Sequence, residues 1–256
     1  MRYSVRENKT RRRQISKVKK IVHNSKKKRN CVTTFGKNLG NLEDVPAYSN
    51  CNNSFESGLN NFISYQNKKL FSGMQWQCVE YARRYLITKL GVTFDSVDGA
   101  EDVFALKTVE SIDTGKKYKF KTFKNNKNSN CRIKNNIPKV NDVIIWARNK
   151  SDTPYGHIAV ILKIEGDQIY IGEQNWSNDA WTGEPRFPSD PSLIVGGPRF
   201  PSGKGLKGTA YSRIVTFKKY NNRCTIVDGN YKILGWKRVL LKQEKQKMPI
   251  SLINSP

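Results

Sequence analysis

The sequence is short of histidine, of acidic side chains and of long apolar runs. Its 256 residues include only two histidines, His23 and His157, and 21 Asp and Glu stand against 46 Lys and Arg. No apolar run approaches the roughly 18 residues that span a bilayer, and no apolar stretch follows the basic N-terminus. We therefore expect a soluble, non-exported protein that lies inside the cell, most simply in the cytoplasm.

The cysteines form no pattern typical of a metal site or a disulfide framework. Their number is odd, their spacing is irregular and no Cys-x-x-Cys pair is present; they are Cys31, Cys51, Cys78, Cys131 and Cys224. Such a set argues against zinc and against disulfides, and it is typical of free thiols in a reducing compartment. We expect no metal and no cofactor.

The excess of positive charge is concentrated at the N-terminus. Residues 1–30 contain thirteen Lys and Arg against Glu7 alone, so +12 of the net charge of +25 lies there. A segment with so many like charges cannot bury itself and usually stays solvated. We predict a disordered tail; the alternatives are an organellar or nuclear address, or a non-specific grip on nucleic acid or an acidic membrane surface.

The remainder is long enough for one domain, and 37% hydrophobic residues with 11% aromatics can supply its core. We place this domain at residues 31–242 and a short basic tail at 243–256. Inside the domain, three polar or Pro- and Gly-rich stretches are predicted to be loops, at residues 31–60, 116–136 and 178–208.

One helix and several strands can be predicted from periodicity. Apolar residues recur at helical spacing, namely Val79, Ala82, Leu86 and Leu90. Gly91 follows as a stop, which predicts a helix of about four turns with Cys78 in or near its first turn. Residues 157–164 and 168–173 flank a tight turn and predict a β-hairpin. Further strands are predicted at 143–147, 213–217 and 231–239.

Cys78 and His157 are the candidate catalytic pair. A thiol is a useful nucleophile as the thiolate, and the N-terminal end of a helix favours an anion in its first turn. A nearby imidazolium stabilises the thiolate as well, and it can pass its proton to a leaving group. His157 is the one histidine of the predicted domain, so imidazole chemistry there falls on it. By spacing alone, a cysteine at a helix start is more often a packing residue.

Glu173 is the candidate acid that orients the imidazole. A strict two-residue turn at 166 and 167 would place His157 and Glu173 on opposite faces of the hairpin. The assignment therefore requires an odd-length turn or a bulge. For the oxyanion of a tetrahedral intermediate, the candidates are the backbone N–H of Cys78 and the side-chain amide of Gln77.

The segment around Cys78 resembles the nucleophile motif of the CHAP family, the cysteine, histidine-dependent amidohydrolases and peptidases. The run is Gln75-Trp76-Gln77-Cys78-Val79-Glu80-Tyr81-Ala82-Arg83-Arg84-Tyr85. It is more closely similar to the amidase domain of the glutathionylspermidine synthetase/amidase and trypanothione synthetase enzymes. Agreement continues in the same order over about 200 residues, at 35–40, 156–161, 173–175 and 233–236.

This resemblance implies an α+β, papain-like fold in which the nucleophile helix packs on an antiparallel β-sheet. It implies that the catalytic residues are Cys78, His157 and Glu173. It also implies that Gln77 lies beside the oxyanion, and that Arg83 and Asn175 hold the glutathionyl part of the substrate. The implied reaction is hydrolysis of the amide between the glycine carboxyl of glutathione and a spermidine amine, through a thioester acyl-enzyme.

The sequence also departs from the family in ways that bear on the substrate. The remainder of the chain leaves no room for an ATP-binding synthetase domain, so we expect cleavage of such a conjugate and not its synthesis. The stretches at 116–136 and 178–208 are longer than the family leads us to expect. Because the second follows Glu173, it could reshape or cover the substrate cleft.

Two other functions are alternatives to the cleavage of a glutathione conjugate. Other members of the wider family are peptidoglycan amidases or endopeptidases, but neither an export signal nor a wall-binding repeat is present in the sequence. From a different class, residues 1–30 would suit a basic nucleic-acid- or surface-binding protein on an inactive amidase scaffold. The joint presence of Cys78, His157 and Glu173 argues against an inactive scaffold.

Overall fold

The structure is a computed structural model, and it describes residues 30–42, 44–126, 130, 136–181 and 211–241. The helical segments in this part of the chain are the α-helix α1 (Cys78–Leu90) and a short 3-10 helix (Ala100–Ala105). Neither is long and apolar enough to cross a membrane. The predicted tails at 1–30 and 243–256 lie outside the described residues apart from Asn30, so the domain boundaries stay predictions.

Strands make up most of the described chain. In chain order they are β1 (Asn38–Leu42), β2 (Val45–Tyr48), β3 (Asn60–Tyr65), β4 (Lys68–Met74), β5 (Val92–Thr93), β6 (Thr108–Ser111), β7 (Lys117–Lys124), β8 (Val143–Trp146), β9 (His157–Glu165), β10 (Gln168–Gly172), β11 (Arg213–Tyr220), β12 (Arg223–Val227) and β13 (Ile233–Leu240).

Nine of these strands form one antiparallel sheet, in the order β12-β11-β10-β9-β8-β13-β7-β6-β5. The pairs β1-β2 and β3-β4 form two separate antiparallel hairpins. Helix α1 packs against β9, β4 and β5. This arrangement is compatible with the predicted α+β class.

The central strands are apolar on both faces, as strands covered on both sides must be. All four residues of β8 are buried. Val143 and Ile145 join the core beneath α1, whereas the alternate residues Ile144 and Trp146 join a second core. Fully burying one such side chain contributes roughly 1.5–3 kcal/mol, so β8 and its neighbour β9 form a firm base for the residues at their ends.

Helix α1 begins at Cys78, which confirms the predicted helix start. Gln77 is the N-cap in an extended conformation, and its side chain makes no capping hydrogen bond. Gly91 ends the helix with φ at 62°, and its N–H donates to carbonyl oxygens of the last turn. Glu80 in the first turn and Lys89 in the last turn both interact favourably with the helix dipole.

The hairpin of β9 and β10 contains the bulge that the acid assignment requires. The turn has two residues, but the pairing shifts by one between residues 170 and 171 of β10, and Leu162 is left as the extra residue of β9. One extra residue reverses the face on which the later residues of the partner strand lie. Glu173, just beyond β10, therefore comes to the same face as His157.

Two of the stretches predicted to be loops contain strands. Residues 31–60 include β1 and β2, and residues 116–136 include β7, which pairs with β13 along most of its length. Asn, Gly and Lys have low strand propensity, but pairing partners distant in sequence outweigh that local preference. The strands predicted at 143–147, 213–217 and 231–239 are confirmed as β8, β11 and β13.

The prediction of free thiols is wrong for three cysteines. Cys31 and Cys51 form a disulfide with an S–S distance of 2.04 Å, and Cys224 is disulfide-bonded as well. Cys131 lies outside the described residues. Among the described cysteines Cys78 is free, so an odd count is no evidence against disulfides. The cysteine count therefore does not argue for a reducing compartment.

Gly235 gives a test of the pairing between β7 and β13. Its φ is 153°, and an added Cβ would overlap the backbone carbonyl oxygen of Phe123. We expect Gly235→Ala to lower the free energy of unfolding by about 3 kcal/mol or more, measured by urea denaturation. The control Gly229→Ala has open space around its Cβ, so only its positive φ of 48° costs about 1 kcal/mol. Equal losses in the two variants would contradict this description.

Candidate active site

Cys78, the first residue of α1, lies in the wall of a cavity. Its side chain is 8% exposed, and the cavity has a volume of about 360 Å³. At this position the unpaired N–H groups of the first helical turn favour a negative charge on the sulfur. Among the described cysteines it is the free one, so it is the thiol available for chemistry.

His157 lies between Cys78 and Glu173. The imidazole is 2% exposed, it lies close enough to Cys78 for the sulfur to raise its pKa, and its Nε2 lies 2.8 Å from Oε2 of Glu173. Because Nε2 faces the carboxylate, Nδ1 is the nitrogen left for the sulfur. The structure thus brings together the three predicted catalytic side chains from a helix start, a strand start and the residue after the next strand.

The two neighbours of His157 keep its ring protonated. Burial on its own would lower the pKa of the imidazole, but negative charge on Cys78 and Glu173, and hydrogen bonds to both, raise it to about 9. The imidazolium therefore persists at neutral pH beside the sulfur. This is the state that stabilises a thiolate and can deliver a proton to a leaving amine.

Glu173 is held by residues that the sequence analysis did not identify. Its Oε1 accepts hydrogen bonds from Nε of Arg213 at 2.7 Å and from Oγ of Ser212 at 2.9 Å. Burial on its own would raise the pKa of this carboxyl, but Arg213 and His157 lower it to about 2. A carboxylate that stays ionised in a buried place can fix the imidazole and balance its charge.

Arg213 is itself fixed by a second carboxylate and by aromatic rings. Its NH1 donates to Oδ1 of Asp228 at 2.6 Å, and its guanidinium lies 4.3 Å from the ring centre of Trp176. Trp176 also covers the imidazole, with ring centres 4.7 Å apart, and Trp146 meets the imidazole edge-on at 5.4 Å. These rings reduce the access of water to the ion pairs, which strengthens them.

The side-chain amide of Gln77, the candidate oxyanion donor, is engaged in hydrogen bonds. Its Nε2 donates to Oδ1 of Asn50 at 3.3 Å and to the carbonyl of Phe55 at 3.2 Å, and its Oε1 accepts from Nδ2 of Asn175 at 2.7 Å. Gln77 and Asn175 are therefore brought together beside Cys78, as the sequence analysis groups them. A role for Gln77 at an oxyanion would require one of its long N–H bonds to be exchanged.

Part of the sequence that forms this site matches the model of a known protein family. Residues 69–175, which include Cys78, His157 and Glu173, match the model of the CHAP domain. This segment is thus similar to a CHAP domain. The matched segment begins in β4 and ends at Asn175, so it covers α1 and the β9-β10 hairpin but not β11 to β13.

The known proteins that the chain resembles in sequence are much longer than the segment they share with it. The chain is 28% identical over 137 residues to the trypanothione synthetase of Crithidia fasciculata, a match that covers 54% of this chain and 19% of that protein. It is 30% identical over 105 residues to the bifunctional glutathionylspermidine synthetase/amidase of Escherichia coli (strain K12), covering 41% and 16%. A glutathionylspermidine synthase of Crithidia fasciculata is 27% identical over 110 residues, covering 43% and 14%. The chain thus matches less than a fifth of each relative.

Arg83, a predicted substrate-binding residue, already makes hydrogen bonds to the protein backbone through its guanidinium. It donates to three backbone carbonyls, those of Ser72, Phe94 and Asp95, at 3.0 to 3.2 Å, and burial lowers its pKa to about 10. Two of the five N–H groups of an arginine remain after these three bonds. Arg83 lines the cavity beside Cys78, so its role towards a substrate stays a proposal.

Glu80 is a buried carboxylate of α1 to which the sequence alone assigned no role. Its Oε1 accepts from Nε of Arg84 at 2.7 Å and from Ser72 and Asn61, and its Oε2 accepts from Gln174 at 3.0 Å. This network ties α1 to β3, β4 and the residue that follows Glu173. Its signal in the sequence is an acid and a base four residues apart on a helix.

The supports of Glu173 have no comparable signal. Arg213, Ser212 and Asp228 lie outside the matched CHAP segment, and they are separated from Glu173 by about 40 residues or more. Only the pairing of β10 with β11, which places Ile171 opposite Arg213, brings them together. Within the described part of the chain, no group of three or more His, Cys, Asp or Glu could hold a metal ion.

The raised pKa of His157 predicts a pH-dependent stability. A folded-state pKa of about 9 against an ordinary 6.5 means that the folded protein binds this proton more tightly. The resulting stabilisation is fully present below about pH 6.5 and is lost as the pH rises through about 9. We expect the melting temperature of the wild type to fall towards that of His157→Gln over this range. In a Cys78→Ala background the pH-dependent difference should be smaller; a difference that grows with pH would contradict the assignment.

Arg213 is expected to support Glu173 as one member of a buried ion pair. Removing one partner leaves an uncompensated charge, so Arg213→Met should cost about 3–5 kcal/mol of unfolding free energy. The lowered pKa of Glu173 gives stability that is present above its ordinary value and lost as the pH falls towards about 2. Acid unfolding of Arg213→Met, followed by circular dichroism, should therefore begin at higher pH. The control Lys218→Met changes an exposed residue of the same strand and should leave the acid midpoint in place.

Proposed function

We propose that this protein is a cysteine amidase that hydrolyses the amide between glutathione and a polyamine, with glutathionylspermidine as the model substrate. The observation that carries the proposal is the series of neighbours Cys78, His157 and Glu173 beside a cavity, with His157 hydrogen-bonded to Glu173. The CHAP domain supports hydrolase chemistry of the amidase kind. We also propose that α1 and the sheet form a papain-like arrangement, since a nucleophile at a helix start faces a base at a strand start.

The proposed reaction proceeds in two halves. The Cys78 thiolate attacks the carbonyl carbon of the amide, and the C–N bond breaks as the His157 imidazolium gives its proton to the leaving amine. A thioester remains between Cys78 and the acyl group. Neutral His157 then takes a proton from water, whose oxygen attacks the thioester and releases the carboxylic acid and the thiolate. Glu173 holds the imidazole and stabilises its charged form throughout.

The charge of the cavity supports a cationic leaving group. Three acidic residues, Glu56, Glu80 and Asp98, are in its wall, and because Glu80 is paired with Arg84 the acidic charge that bears on a ligand is that of Glu56 and Asp98. The basic residue that lines it, Arg83, donates to backbone carbonyls. This is a departure from the whole chain, in which basic residues outnumber acidic ones by more than two to one. Such a cavity attracts an amine with positive charge and repels an anionic one.

The names of the relatives point to the same conjugate. One of them is a bifunctional glutathionylspermidine synthetase/amidase, to which the chain is 30% identical over 105 residues. We propose that Arg83 and Asn175 bind the glutathionyl part, and that Cys78 N–H and Gln77 receive the oxyanion. The alternative with the same chemistry is a peptidoglycan amidase or endopeptidase, and the test below separates the two.

Incubation of the purified protein with glutathionylspermidine is expected to release glutathione and spermidine. Cys78→Ala should abolish release, because the variant lacks the sulfur that forms the thioester. His157→Ala should lower kcat by roughly 10²–10⁴-fold, which is the usual contribution of general acid–base catalysis. Glu173→Gln should have a smaller effect, since that residue orients the ring without bonding to substrate. Product release is measured by chromatography, and circular dichroism checks that each variant is folded.

Muropeptides serve as the competing substrate in this assay. Hydrolysis of muropeptides with no release of glutathione from the conjugate would overturn the proposed substrate and favour the alternative. Wild-type rates in Cys78→Ala would overturn the proposed nucleophile. Mass spectrometry of an acyl-enzyme trapped by rapid acid quench should find the added mass on the peptide that contains Cys78.

A further inference from the structure

Three side-chain amides form a closed ring of hydrogen bonds next to Cys78. Nε2 of Gln77 donates to Oδ1 of Asn50 at 3.3 Å. Nδ2 of Asn50 donates to Oδ1 of Asn175 at 3.0 Å, and Nδ2 of Asn175 donates to Oε1 of Gln77 at 2.7 Å. Each amide therefore gives one hydrogen bond to the next member and receives one from the previous member. Hydrogen bonds that run in one direction polarise and strengthen one another.

The orientation of the whole ring is fixed by backbone groups that bind Asn50. The N–H of Trp76 donates to Oδ1 of Asn50 at 3.1 Å, and Nδ2 of Asn50 donates to the carbonyl of Phe55 at 2.7 Å. A flipped Asn50 amide would place NH₂ against N–H and oxygen against oxygen. Since Asn50 has one allowed orientation, the oxygen of Asn175 must face it. The nitrogen of Asn175 must then face the oxygen of Gln77, so no member of the ring can flip alone.

Asn50 is itself held firmly. It is fully buried, and its backbone N–H donates to Oδ1 of Asn178 at 2.8 Å. The next residue, Cys51, is also fully buried and is joined to Cys31 by the disulfide. Closing a loop of 20 residues by a disulfide stabilises the folded state by about 3 kcal/mol. The ring is therefore anchored at the residue that lies farthest in sequence from the catalytic side chains.

The ring connects the two sides of the candidate active site. Gln77 directly precedes Cys78, and Asn175 is two residues after Glu173. Asn175 has φ at 54°, a conformation that asparagine tolerates better than most residues but that still needs support. Asn50 supplies that support from a segment that lies outside the matched CHAP region. A change at Asn50 would therefore shift the side chains of Gln77 and Asn175 while Cys78, His157 and Glu173 stay unchanged in identity.

We propose that Asn50 is a positioning residue for catalysis: through the three-amide ring it orients Gln77 and Asn175 beside the nucleophile. This inference rests on the proposed amidase function, in which Gln77 and Asn175 meet the substrate. Asn50 does not touch the substrate itself. It fixes the orientation of the side-chain amides of Gln77 and Asn175 relative to each other.

Two substitutions at Asn50 test this proposal. Asn50→Ala removes the ring member, and Asn50→Asp keeps its shape while an oxygen replaces the NH₂ group that faces Asn175 and Phe55. We expect kcat on glutathionylspermidine to fall by about 10- to 100-fold in both, because a misplacement of about 1 Å can cost that much. The rate is expressed per Cys78 thiol that iodoacetamide labels in the fast phase of the activated active-site thiol, so that misfolded protein, whose thiol labels at the slow rate of an ordinary cysteine, is not counted.

A matched control comes from the same loop. Asn53 is exposed, and its Oδ1 accepts one hydrogen bond, from Nδ2 of Asn178 at 2.8 Å. Asn53→Ala should leave kcat per titrated site within about twofold of the wild type, as surface substitutions usually do little. If Asn50→Ala lowers the melting temperature but keeps wild-type kcat per titrated site, Asn50 has only a structural role and the proposal is overturned.

A second measurement is independent of the substrate. In protein labelled with ¹⁵N at Asn and Gln, the side-chain NH₂ groups of Gln77 and Asn175 should exchange with solvent slowly, and Asn50→Ala should make both exchange at least about tenfold faster. Unchanged exchange would overturn the ring as a positioning device. If the wild type does not hydrolyse the conjugate, the proposed function fails, and the exchange rates alone decide whether Asn50 orients its two neighbours.

Discussion

A buried imidazolium held between the sulfur of Cys78 and the carboxylate of Glu173 is the interaction on which the candidate site depends. His157 is almost fully enclosed, and burial alone would favour its neutral form. Its charge is stable because Cys78 lies on one side of the ring and Glu173 on the other. Glu173 in turn stays ionised because Arg213 binds it. Each of these groups would be costly to bury alone, and they are tolerated as a series of alternating charges.

This series accounts for much of the surrounding structure. Arg213 must be close to Glu173, which requires β11 to pair with β10 in the observed register. The excess positive charge of Arg213 is matched by Asp228, which also accepts a hydrogen bond from the indole N–H of Trp146 at 2.8 Å. Trp146 and Trp176 then cover the imidazole. Groups from four strands or their ends are thus fixed by the need to compensate one charge after another.

A second set of polar contacts acts on the helix side. Glu80 and Arg84 lie one turn apart on α1, and Gln174 bonds to both of them, with Arg84 NH2 donating to its Oε1 at 2.9 Å. Gln174 is the neighbour of Glu173. The position of the acid is therefore determined twice, by Arg213 through its side chain and by the helix through the next residue. A site built in this way resists small movements of either the helix or the sheet.

The sequence predicted those features of the fold that depend on local pattern. The start of α1 at Cys78, its end at Gly91 and the hairpin of β9 and β10 all follow from periodicity and stop residues. The strands in residues 31–60 and at 117–124 do not, because Asn, Gly and Lys acquire strand structure there only through distant partners. The disulfide of Cys31 and Cys51 was likewise invisible, since the count of cysteines carries no geometry. In the candidate site, Cys78, His157 and Glu173 were predicted from the sequence. Arg213 and Asn50 were not, because they reach the site through contacts between distant segments, which no local pattern records.

The bulge at Leu162 gives the hairpin a parity. With the bulge, acid and base share a face; with the same number of residues and no bulge, they would point in opposite directions although every side chain of the site were retained. Loss of Leu162 itself would remove the bulge and keep the pairing near His157, so the two side chains would stay on one face, whereas loss of another residue of β9 with the bulge retained would separate them. The catalytic potential of this hairpin thus depends on the number of residues between His157 and Glu173 together with the bulge, a property that a comparison of residue identities alone does not see.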